Sequence, residues 1–134
     1  GIAIRQDLTD EWKNRGVEEE TDFAILTNEI TKATFGKKVE EYKKFKGLSR
    51  KNQNLRDHMT DWELIFTMLG EKATTDIAVA RDSIGFEQNK QTAQKGGQIA
   101  HNARKELESE TGTSIVSETN FLNLDKKRLI NKKE

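Results

Sequence analysis

Thr60-Asp61-Trp62-Glu63-Leu64-Ile65-Phe66-Thr67-Met68-Leu69-Gly70 marks the start of a helix in its own residues. The Thr60 hydroxyl caps the Glu63 amide while the Glu63 carboxylate reaches back, a capping box. Leu64, Ile65, Met68 and Leu69 follow at helical spacing and are expected to face inward, with Gly70 as the stop. The same signals recur on both sides of this stretch. Together they decide the fold class.

Upstream, Val39, Tyr42 and Phe45 share one face of a shorter helix that Gly47 stops, and Ser49 is placed to cap a segment running to Met59. Phe23, Leu26, Ile30 and Ala33 repeat at spacings of three and four, with Thr21 as the expected cap and Gly36 as the end. Thr9-Asp10-Glu11-Trp12 reads as a helix N-terminus closed by Gly16, with a hydroxyl for the free amides and acids at the positive dipole end. Downstream, Thr74 or Thr75 is expected to open a helix carrying Ile77, Ala78 and Ala80. Phe86 to Glu110 reads as a long helix, kinked at or closely approached near Gly96-Gly97 and closed by Gly112. Only Ser114-Ile115-Val116-Ser117 has strand character. The chain has no proline and nine glycines. The expected class is all-α: a multi-helix domain of extended or paired helices, with at most one short strand near the C-terminus. Its expected parts are a short helix or linker over residues 1–16, a helical domain over 17–123 and a basic tail over 124–134.

Of the 134 residues, 33% are hydrophobic and 34% charged, against roughly 45–50% and about 25% in a typical domain. So thin a supply of apolar side chains predicts an extended helical array or a homo-oligomer, with Trp12, Phe35 or Phe121 left exposed in a lone chain. The formal net charge is zero, yet it is distributed in blocks. Residues 1–31 carry net −5, 32–59 net +6, 60–87 net −4 and 88–134 net +3. Such blocks pair with one another, within the chain or across copies, or the basic block forms an anion-binding face. No cysteine is present, which removes disulfides and thiolate chemistry and suits a reducing cytoplasm. No apolar run approaches the roughly 20 residues that span a bilayer. The chain opens on Gly1 and not Met, as an excised fragment would.

Enzyme chemistry finds little support. Asp57 and His58 are adjacent, and adjacent helical side chains diverge. His101 lies far from His58 with no matched acids, so no metal site is implied. Gly96-Gly97 lacks the preceding strand and further glycines of a nucleotide-binding loop. The informative stretch is Gly47-Leu48-Ser49-Arg50-Lys51-Asn52-Gln53-Asn54-Leu55-Arg56-Asp57-His58-Met59. Its forked cations and amides suit phosphate oxygens or a partner's carboxylates. With the lysines before it, it yields one candidate binding set: Lys43, Lys44, Lys46, Arg50, Lys51, Asn52, Asn54, Arg56 and His58. Tyr42 and Phe45 lie among these cations, as in single-strand binding surfaces, but their spacing with Val39 favours the core. A second candidate patch is Gln88, Asn89, Lys90 and Arg104; its amides would suit base reading if the segment 75–91 were a helix-turn-helix.

Gly47-Leu48, the basic and amide residues after it, and Leu55-x-Asp57-His58-Met59 together resemble a signature of the DNA-damage-inducible protein D family, bacterial proteins related to phage antirepressors. Thr21-Asp22-Phe23-Ala24, Asn89-Lys90-x-x-Ala93, Gly96-Gly97 and Ala103-Arg104 resemble further blocks of that family in the same order. The likeness spans roughly residues 16–122 and corresponds to the C-terminal half of a member. It implies a non-enzymatic regulator of the SOS response or of prophage induction. Such a regulator would bind a DNA-repair, recombination or repressor protein, or DNA, through a basic helical face. The alternative is an oligomerisation module for a missing antirepressor-type N-terminal domain. Neither reading calls for a cofactor, metal, membrane or small-molecule substrate.

Overall fold

A computed structural model describes residues 2–50 and 52–120. Its helices are α1 (Ile2–Asn14), α2 (Glu20–Phe35), α3 (Val39–Phe45), α4 (Asp61–Arg81) and α5 (Gly85–Thr111), with a 3-10 turn over Leu55–His58 between α3 and α4. The all-α expectation holds. The stretch 114–117 forms bends, and no strand occurs among the described residues. The basic tail over 124–134 and Phe121 lie outside them.

The longest helix, α5, packs along both α4 and α2, and α1 lies against α4. Where these helices cross, the residues are small. A Cβ on Gly96 would fall 2.7 Å from the Thr74 amide nitrogen and 2.9 Å from the Gly70 carbonyl oxygen. One on Gly97 would fall 2.8 Å from the Ile30 carbonyl oxygen, and one on Gly70 3.0 Å from Thr34 Oγ1. These glycines let backbones touch; they do not end or break helices. Hence α4 runs through Gly70, and α5 is continuous through Gly96 and Gly97. The cost of about 1 kcal/mol for a helical glycine is offset by the packing that close approach permits.

The expected start at Thr74 or Thr75 is also overturned. Both hydroxyls bond back inside α4, to the Gly70 and Glu71 carbonyls at 2.7 and 3.2 Å. Thr9 likewise bonds the Arg5 carbonyl from the middle of α1, which begins about two turns earlier than its capping signature suggests. Helix α2 starts at Glu20 with Glu19 as its N-cap, so Thr21 is already inside it. Ser49 caps nothing; Asn54 accepts from the Arg56 amide and opens the 3-10 turn. The Thr60–Glu63 capping box is present as read, and Gly36 and Gly112, both at positive φ, close α2 and α5 as expected.

The core has two clusters. Leu8, Trp12, Val17, Leu26, Ile30 and Ala93 form one, beneath α1. Phe35, Tyr42, Leu48, Leu55, Met59, Phe66 and Ile115 form the other, around α3 and the 3-10 turn. Trp12 and Phe35 are therefore buried within a single chain, contrary to the exposure expected of a lone copy. The scarce apolar residues suffice because buried threonines, glycines and paired charges fill the rest of the interior. Within α4 the inward set differs from the one expected: Phe66 is buried, Leu64, Met68 and Leu69 are half-buried, and Ile65 is 44% exposed.

Candidate functional site

The Thr60–Glu63 box does more than start a helix. Glu63 is fully buried, and its carboxylate collects donors from three parts of the chain. Oε1 accepts from Lys46 Nζ at 2.6 Å and from the Thr60 amide at 2.9 Å; Oε2 accepts from the Tyr42 hydroxyl and from the Ser117 amide. The Lys46 ammonium also donates to the Thr119 carbonyl at 2.7 Å. Burial pushes the Glu63 carboxyl up to about 7, against the backbone bonds from Thr60 and Ser117 that favour its charged form. Burial lowers the Lys46 ammonium to about 8. The direct contact between them works against both shifts. This pair ties α3, the start of α4 and the segment after α5 together.

A second buried carboxylate, Glu71, lies one α4 face away. Arg56 from the 3-10 turn holds its Oε1, and Arg5 from α1 approaches its Oε2 at 3.4 Å. Arg5 also donates to Thr27 Oγ1 at 2.6 Å and stacks over the Trp12 ring. Beside this triad is a cavity of about 320 Å³, lined by Arg5, Lys43 and Arg56, by Glu71, and by apolar side chains including Ile30, Leu55 and Met59.

The first candidate set is thereby divided. Lys46 and Arg56 are turned to internal carboxylates, and buried His58 places Nδ1 2.7 Å from Asn120 Oδ1. Asn54 caps the 3-10 turn. Lys51 lies outside the described residues. Exposed Asn52 remains at the surface. Lys43, Lys44 and Arg50 do converge: they line one open depression between α3 and the loop after it, with Glu40 as its only acid among the described residues and Lys43 Nζ 3.8 Å from that carboxylate. Lys43 borders both this depression and the cavity. Tyr42 is core, as its spacing implied, whereas Phe45 is 38% exposed with Lys37 Nζ 4.5 Å from its ring centre.

The second candidate patch does not form a face. Asn89 is fully buried and donates to the Gly85 carbonyl at 2.7 Å. Arg104 is buried at the far end of α5, where Nε donates to the Thr34 carbonyl and Nη1 to Glu108. Gln88 is spent on the Ile84 amide, and Lys90 is half-buried. A long helix cannot turn these residues to one side, and the segment 75–91 consists of the end of α4, a three-residue connection over 82–84 and the start of α5. Glu63, Glu71 and Arg5 escaped sequence reasoning as site residues. Glu63 carried a capping signal, but nothing local links Arg5 to a carboxylate 66 positions away. Among the described residues no group of three or more metal-ligating side chains converges, and no helix is long and apolar enough to cross a membrane.

The chain matches the family model of the DinD C-terminal domain over residues 2–120. No curated protein and no solved structure matches it. The match takes in all five helices, α1 included. The chain belongs to the DinD C-terminal domain family.

Proposed function

We propose that this member of the DinD C-terminal domain family is a non-enzymatic, cytoplasmic regulatory domain of a DNA-damage-inducible protein. It works by binding a negatively charged partner, either DNA or an acidic face of a repressor or recombination protein. The reading rests on one observation: Lys43, Lys44 and Arg50 surround one open depression, with Glu40 as the only acid lining it among the described residues. Two other cations of the same block, Lys46 and Arg56, are held by internal carboxylates. Exposed Phe45 beside Lys37 adds a ring on which a base or an aromatic side chain can stack.

The test is fluorescence anisotropy with a labelled single-stranded oligonucleotide, alongside capture of partners from damaged cells. Each is run on the wild type and on a Lys43→Glu, Lys44→Glu, Arg50→Glu variant. If three phosphates are neutralised, log affinity falls against log salt with a slope of about −2, at about −0.7 per phosphate. The variant abolishes binding while its helical circular dichroism is unchanged. Binding that survives the reversal, to DNA and to proteins alike, refutes the ridge.

A second reading, that the domain is a homo-oligomerisation module, is favoured by Trp62 and Ile65. They lie three apart on α4 and are 48% and 44% exposed. Sedimentation velocity on the wild type and on Trp62→Ser, Ile65→Ser separates the two readings. Dissociation of an assembly by this pair would support the module; a monomer at every concentration would remove it.

A further inference from the structure

The cavity beside Glu71 is separate from the basic ridge except at Lys43, and nothing in the sequence pattern signals it. Its volume of about 320 Å³ lies at the lower end of small-molecule pockets, roughly 300–1,000 Å³. At ~30 Å³ per water it would hold about ten waters, or an organic molecule of one or two rings. Its apolar lining comes from α2, α3, the 3-10 turn and the residue after it, through Ile30, Val39, Leu55 and Met59. Among the described residues its lining has two guanidiniums, Arg5 and Arg56, against the one carboxylate of Glu71, and Lys43, 3.8 Å from Glu40, lines it as well.

Each guanidinium has five N–H donors. Among the described residues, the Arg5 side chain places one on Glu71 and one on Thr27, and the Arg56 side chain places one on Glu71. Both therefore keep forked donors at the border of an apolar space. That is the chemistry that recognises carboxylates and phosphates in pairs of bonds. Burial and the nearby Arg56 both disfavour the charge on Arg5, which Glu71 only partly offsets. A second anion would relieve that strain. A triad serving only to clamp α1 to the 3-10 turn would account for the ion pairs. It leaves unexplained the half-open pocket beside them, in which apolar side chains border guanidinium donors that those pairs do not use.

We propose that this cavity binds a small organic anion, its carboxylate or phosphate held between Arg5 and Arg56 and its apolar body over Ile30, Leu55 and Met59. The probe is anilinonaphthalene sulfonate, titrated by calorimetry into the folded chain, with phenylnaphthylamine as its neutral counterpart. Saturable one-to-one binding is expected, weaker for the neutral compound by at least about tenfold, the loss of a charge-assisted contact. Octanoate and phenyl phosphate are then competed against the probe, and the better competitor identifies the ligand as a carboxylate or a phosphate. Arg56→Met weakens probe binding by a similar factor. Because that change also strips Glu71 of a partner, a companion variant is made at Thr31, which also lines the cavity from α2: Thr31→Met fills the space without touching a charge, and it too weakens binding by at least about tenfold. Equal affinity for the neutral compound overturns the proposal. So does failure of both competitors, or binding undiminished in both variants.

Discussion

Replacing Lys46 by methionine leaves Glu63 as a buried carboxylate without its counter-charge. Both side chains are completely inaccessible and 2.6 Å apart, so the removed charge is not replaced by water. Breaking such a pair from one side costs about 3–5 kcal/mol, whereas neutralising both sides is often close to neutral. Lys46→Met is therefore expected to destabilise by about 3–5 kcal/mol at pH 8. The double change Lys46→Met, Glu63→Gln is expected to cost clearly less, since the glutamine oxygen still accepts from the Thr60 amide, its NH2 can donate to the Tyr42 hydroxyl oxygen, and no counter-ion is needed. The pH dependence has a defined sign. Glu63 is raised in the fold, from an ordinary 4.5 to about 7. Its stabilising contribution is full below 4.5 and is lost as pH rises through 7. Lys46 is lowered, from 10.5 to about 8, so its contribution is full above 10.5 and is lost as pH falls through 8. The two together place a shallow minimum between pH 7 and 8, where both groups are charged and their contact returns part of the burial cost. In Lys46→Met the carboxyl can escape its penalty by taking up a proton, so the defect should shrink on going from pH 8 to pH 5, by up to about 1.4 kcal/mol for each tenfold by which the loss of Lys46 tightens the carboxyl's hold on its proton. Urea denaturation of the wild type, both single variants and the double variant at pH 5, 7.5 and 9 measures all of this. A Lys46→Met cost no larger than that of the double variant, or one that does not move with pH, would refute the reasoning.

Gly96→Ala improves intrinsic helix propensity yet should destabilise by about 1–3 kcal/mol or more, because its Cβ meets backbone atoms that cannot move aside; a raised melting temperature would show that α4 and α5 do not touch there. Thr60→Ala removes the cap on the Glu63 amide and should cost about 0.5–2 kcal/mol in thermal melts. Trp12→Ala, in the core beneath α1, should cost about 3–5 kcal/mol, whereas Trp62→Ala on the surface should stay within about 0.5 kcal/mol by denaturant titration. Equal effects at the two tryptophans would mean that α1 is not docked on α4.

The helical class and most helix ends were legible because they follow from local chemistry. The Thr60–Glu63 box, the glycine closures at Gly36 and Gly112, and the 3.6-residue recurrence of Phe23, Leu26 and Ile30 each act within a turn or two of backbone. The ordered motifs around Gly47–Met59 and Asn89–Arg104 were enough to place the chain in its family. Local reading failed wherever a residue serves a distant neighbour. Gly70 looks like a stop until a second helix presses on it, and Thr74 looks like a cap until its hydroxyl is needed inside a crowded crossing; the close approach read at Gly96-Gly97 is there, without a break in α5. The charges behave in the same way. Lys46, Arg56, Lys43 and Arg50 are equivalent cations in sequence, and only tertiary packing sends the first two to buried carboxylates and leaves the last two facing an open depression. Ion pairs act through space over a few ångströms, and Lys46–Glu63 and Arg5–Glu71 bridge 17 and 66 positions. The residues alone thus determined which segments coil, while the choice of which charges face inward required the fold that brings those segments together.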